Sequence, residues 1–175
     1  MEQLFVKHRQ LLAKLDASFK RSIYDQLPWD QQMIGITGSR GVGKTTLILQ
    51  YIRDHYPLTK KALYISFDGI AMPYENLRSL AEAFARQGGE HLFIDEIHKY
   101  PNWSQELKYI YDMIPELHVV FTGSSILDIQ SGQADLSRRA LIFNMNGLSF
   151  REFLQIETGQ SFNTYMLNDI LQNHE

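Results

Sequence analysis

The chain has 175 residues, 44% of them hydrophobic and 21% charged, a length and balance that fit one folded domain and exclude intrinsic disorder. A formal charge of -3 offers no positive field for non-specific contact with a phosphate backbone, so nucleic acid is not supported by charge. The lack of cysteine removes disulfides, thiolate chemistry and the usual zinc sites. Met1 to Phe5 carries no signal-peptide pattern and no apolar run approaches the ~18 residues of a membrane span, so a soluble, cytoplasmic protein without membrane association is expected.

Leu4, Leu11, Leu12, Leu15 and Phe19 recur at roughly helical spacing with basic residues between them, which predicts an amphipathic leading helix and linker over residues 1–30, packed on the domain as a cover. Pro28 breaks that pattern, and Met33 to Thr37 predicts the first buried strand. A helix runs from Lys44 to Tyr56, where Pro57 blocks it. Ala62 to Phe67 predicts a second strand, and Leu77, Leu80, Ala81 and Phe84 a helix within Glu75 to Gln87. The apolar run from His91 ends in Asp95 and Glu96, and a helix from about Trp103 to Met113 follows. His118 to Thr122 and Ala140 to Phe143 are the fourth and fifth strands. Strands that are apolar throughout and alternate with helices signify a parallel sheet covered on both faces, so the fold class is α/β, with a core over residues 31–147. Ser149 and Glu152 have capping-box spacing and open the C-terminal helices of residues 148–175, the first carrying Phe150, Phe153 and Leu154 and the last running from Tyr165 to Leu171.

The stretch Gly38-Ser39-Arg40-Gly41-Val42-Gly43-Lys44-Thr45 matches Gly-x-x-x-x-Gly-Lys-[Ser/Thr] at every defined position and lies between a strand and a helix, the context that a phosphate-binding loop requires. Its glycines let successive N–H groups point at phosphate oxygens, and the helix behind adds its positive end. In that role Lys44 contacts the β- and γ-phosphates and Thr45 holds magnesium by its hydroxyl, which makes ATP or a related nucleoside triphosphate, with Mg, the expected ligand. Arg40 has two readings, a phosphate contact or a pair with a nearby acid.

Asp95 projects from the C-terminal edge of a buried strand, where open parallel sheets bind ligands, and supplies an acid for the magnesium. The adjacent Glu96 is placed to orient and deprotonate a water for attack on the γ-phosphate. Thr122-Gly123-Ser124-Ser125 reads either as a polar sensor at the fourth strand's tip or as a turn with a helix N-cap. Arg138 and Arg139 read either as a source of transition-state stabilisation, in the same chain or across a subunit interface, or as a solvated basic turn. His91 and His98 flank the acids and read as surface or packing residues rather than ligands.

These residues resemble a prokaryotic family of AAA-type ATPases. The resemblance rests on Thr37 to Leu47, Phe93 to Lys99 with Pro101-Asn102-Trp103 and Leu107-Lys108, Phe121 to Ser125, and Leu148-Ser149-Phe150-Arg151-Glu152-Phe153. It implies a three-layer P-loop fold with strand order 5-1-4-3-2, nucleotide contacts from Gly38 through Thr46, Asp95 and Glu96 as the Walker B pair, and Ser124 as the sensor. It also implies a nucleotide-sensing arginine at Arg138 or Arg139, action in a homo-oligomer or with a partner protein, and a C-terminal domain like the restriction nucleases beyond the ATPase portion. Hydrolysis coupled to a conformational change is the use of the loop that Glu96 beside Asp95 favours. A nucleotide-dependent switch with negligible turnover, possibly DNA-linked, is the alternative. Small-molecule phosphorylation is disfavoured, because a kinase loses ATP by activating water.

Overall fold

In the computed structural model the described residues are 1–15, 19–57, 59–68, 74–123, 136–163, 165 and 167–172. Five strands, β1 (Met33–Thr37), β2 (Ala62–Ser66), β3 (His91–Asp95), β4 (His118–Gly123) and β5 (Leu141–Asn144), form one sheet in the order β2-β3-β4-β1-β5. Every neighbouring pair is parallel. This is the expected 5-1-4-3-2 order, with β5 displaced by one residue from its predicted span. Among the helices are α1 (Glu2–Ala13), α2 (Lys44–His55), α3 (Leu77–Arg86), α4 (Trp103–Met113), α5 (Phe150–Thr158) and α6 (Leu167–Gln172), with short 3-10 turns at Ser22–Gln26 and Ile97–Lys99. No helix of the described residues is long and apolar enough to cross a membrane.

The two-residue period of a strand sorts the core into two halves. Leu63, Ile65, Leu92, Ile94, Val119 and Phe121 face α3 and α4. Tyr64, Phe93, Val120, Ile34 and Ile36 face α2 and the Ser22–Gln26 turn. Because both faces are covered, β1 to β4 are buried almost throughout, which is why they read as apolar runs, whereas β5 at the sheet's edge has no fully buried residue.

The leading helix is shorter than its leucine spacing predicts. It stops at Ala13, and the face it buries is Leu4, Phe5 and His8, while Leu11 is exposed. The reason lies in what it covers. α1 packs on β2, an edge strand whose outer N–H groups need partners, and His8 Nδ1 accepts the Tyr64 N–H at 2.9 Å. Burial, with the Arg9 charge beside it, pushes the His8 pKa down from 6.5 to about 4, so the ring is neutral and its proton sits on Nε2.

A second tie holds the turn after β1 to the C-terminal part. Arg21, near-buried, donates from Nη1 to the Val42 carbonyl at 2.6 Å, from Nη2 to the carbonyls of Asn146 and Gly147 at 2.9 and 3.0 Å, and from Nε to Glu152 at 3.0 Å. Glu152 also accepts from the Ser22 N–H and hydroxyl and, completing the capping box of α5, from the Ser149 N–H. Burial alone would raise its pKa, but these backbone and arginine hydrogen bonds hold it at about 2. The predicted cap is therefore also the counter-ion of a three-way junction.

Two outcomes follow. His8 has a lowered folded pKa, so its contribution to stability is complete above about pH 6.5 and is lost as pH falls toward about 4. Thermal unfolding from about pH 7 to about pH 4.5 is expected to show a decline that is shallower in His8→Phe; equal slopes would rule out this role. Arg21→Ala leaves Glu152 buried without its cation and is expected to cost about 3 kcal/mol in denaturant unfolding. Arg21→Lys should recover only part, because one ammonium cannot serve the same spread of acceptors.

Candidate functional site

The glycine-rich turn from Gly38 to Gly43 leaves β1 and enters α2, as its sequence context requires. At Gly38, with φ of 148°, an added Cβ would collide with the Met145 carbonyl, so close packing against the end of β5 demands glycine there. Gly43, at φ 100°, is the N-cap of α2. That helix has no side-chain cap and no acidic residue in its first turn, which leaves its N-terminal N–H groups and its positive end for an anion. Lys44 is buried, and its ammonium donates to the carbonyls of Gly38 at 2.8 Å and Ser39 at 3.0 Å, retaining one further N–H. Burial lowers its pKa, against the opposing pull of Glu96 and Asp95.

Asp95 ends β3 and is buried. Its Oδ2 accepts from the Thr45 hydroxyl at 2.7 Å and the Tyr64 hydroxyl at 2.8 Å, and its Oδ1 accepts from the Thr122 hydroxyl. Thr122 in turn accepts the Glu96 N–H at 3.0 Å, so the tip of β4 orders both acids. Glu96 itself has φ of 55°, a left-handed conformation that costs a non-glycine residue energy and that turns the chain sharply out of the sheet. Its carboxylate lies 3.4 Å from His98 Nε2, and both side chains keep some access to solvent. The Thr45 and Asp95 oxygens form a hard donor set of the kind magnesium takes alongside phosphate and water.

The remaining sequence candidates divide. Ser39, Arg40, Gly41 and Thr46 are exposed around the loop, and Val42 is half-buried. Asp68 pairs with Lys99 at 2.8 Å, and the Arg40 charge adds only a lesser lowering of its pKa. Ser124 and Ser125 lie outside the described residues, and Thr122 is the hydroxyl found at the end of β4. Arg138 and Arg139 precede β5 and so enter the sheet at the edge remote from the loop; Arg139 donates to Asp112 at 2.8 and 2.9 Å, and Arg138 is exposed. His91 packs between His118 and Tyr56, with ring centroids 4.7 and 4.9 Å away, at the start of β3. His98, by contrast, stands beside Glu96, a contact that its position two residues on in a turn could have suggested.

The family described as the AAA domain matches residues 30–154. Among solved structures, the Walker-type ATPase PABY2304 of Pyrococcus abyssi superimposes with a TM-score of 0.55 at 14% identity, over 83% of this chain and 60% of that one. The Hsp104–ADP complex of S. cerevisiae superimposes with a TM-score of 0.61 at 20% identity, over 87% of this chain and 26% of that one. At such identities the likeness is one of fold, and this chain spans less than two thirds of either protein. No sequence among the curated proteins matches it. The matched stretch takes in the glycine-rich loop, the acidic end of β3 and the Ser149–Glu152 box, and on that ground the chain belongs to the AAA family of P-loop ATPases.

Proposed function

We propose that this domain binds ATP with magnesium and hydrolyses it, coupling the reaction to a conformational change. The observation that carries the reading is the 2.7 Å contact between Thr45 at the head of α2 and Asp95 at the end of β3, which joins the phosphate loop to an acid with a second acid next in sequence. In this reading the loop N–H groups from Gly38 to Thr46 and the Lys44 ammonium hold the β- and γ-phosphates, and Thr45 and Asp95 hold magnesium. The metal, when bound, would neutralise charge on the phosphate oxygens. Glu96 takes the proton of the attacking water, and Thr122 keeps Asp95 and Glu96 in a fixed relation.

The base has a place beside the loop. A cleft of about 380 Å³ lies against Gly41 and Gly43, walled by Phe19, Val42, Leu148 and Ile156. Its size and apolar walls suit a purine and ribose. Arg138, exposed at the far edge of the sheet, would meet a nucleotide only in a neighbouring copy, so a role for it goes with a homo-oligomer. The second reading, a switch with little turnover, is favoured by the contact of Glu96 with His98, which engages the base that hydrolysis needs.

Calorimetric titration with ATP, ADP and GTP in magnesium tests the site. Lys44→Ala is expected to weaken ATP binding at least about tenfold, and unchanged affinity would overturn the assignment. Glu96→Gln should keep its affinity for ATP and release phosphate about a hundredfold more slowly than the parent. Parent protein that binds ATP tightly yet releases no phosphate would decide for the switch.

A further inference from the structure

Of the three hydroxyls on Asp95, one comes from the edge strand rather than from the loop or the neighbouring tip of β4. Tyr64 stands in register with Phe93, on the face of β2 that α2 covers, and its phenol reaches forward to the end of β3. It is held at both ends. Its N–H is taken by His8 of α1 at 2.9 Å, and its hydroxyl by Asp95 Oδ2 at 2.8 Å. A phenol, with an ordinary pKa of about 10, is protonated near neutral pH and so remains a donor.

A carboxylate has roughly four lone-pair positions. Thr45 and Tyr64 occupy those of Oδ2, and Thr122 occupies one of Oδ1, so the described residues leave a single acceptor position on Oδ1. The number of donors thus decides which oxygen stays open and fixes the rotamer that meets Thr45. We propose that Tyr64 is a positioning residue for the metal-side carboxylate, so that the response of nucleotide binding to magnesium depends on a phenol of the edge strand, itself pinned by the N-terminal helix. The proposal rests on the reading of the loop as a magnesium–nucleotide site.

The test compares the parent chain, Tyr64→Phe, Asp95→Asn and the double variant, with ATP affinity measured in EDTA and across a magnesium titration. Tyr64→Phe keeps the ring and its packing, and thermal unfolding confirms that it folds. It is expected to leave affinity in EDTA within about twofold and to raise the magnesium concentration for half-maximal effect about tenfold, the scale of losing a group that orients a metal ligand. Added to Asp95→Asn it should change nothing further, since the two residues act as one unit. An unchanged magnesium midpoint in Tyr64→Phe, or a full extra shift in the Asp95→Asn background, overturns the positioning role while the loop assignment stands. A parent whose ATP binding ignores magnesium overturns both.

Discussion

A carboxylate at the end of a strand covered on both faces has to be paired, because an unpaired buried charge is among the costliest things a core can hold. Asp95 meets that demand with hydroxyls from β2, β4 and the first turn of α2. The sheet order makes this possible. β4 lies between β1 and β3, so the tip of β4 fills the gap between the loop that leaves β1 and the acid that ends β3. The alternation of strand side chains then puts Tyr64, Phe93 and Val120 on the face that α2 packs against, and Asp95 and Thr122 follow two residues later on the same face. The pairing that keeps the core satisfied is thus the one that brings the acid to the loop.

Much of this was legible from local pattern. The first four strands, the loop, the Trp103–Met113 helix and the Ser149–Glu152 box each announce themselves within a few residues, because burial on both faces and turn chemistry are local properties. Where the reading fell short, the missing information was a partner distant in sequence. Tyr64 reads as one more apolar strand residue, since nothing in Leu63-Tyr64-Ile65 says that its hydroxyl meets Asp95, 31 residues on. Periodicity points to Leu11 and not to His8, because it finds a stripe but not the edge strand whose N–H must be satisfied. Arg21 finds Glu152 across 131 residues. Arg139 meets Asp112 across 27 residues, a pairing that depends on where the sheet brings the start of β5.

Two kinds of cohesion therefore meet at the loop. From β1 to α2 the chain is shaped by glycine conformations and helix-end chemistry, properties of one short run of consecutive residues. Around it, the position of that segment is set by groups far away in sequence: Arg21 on the Val42 carbonyl, Met145 donating to the Thr37 carbonyl at 2.7 Å, and Thr45 on Asp95. The first kind recurs wherever such a loop occurs, and the second belongs to this fold.

Gly38 belongs to both. Its Cβ is forbidden by the carbonyl of Met145, a neighbour in the frame, whatever the loop holds. A descendant of this chain that had abandoned phosphates would be free to replace Lys44, yet would still have to keep Gly38. Of the two most familiar letters of the loop, the lysine is the one whose loss would record a change of trade.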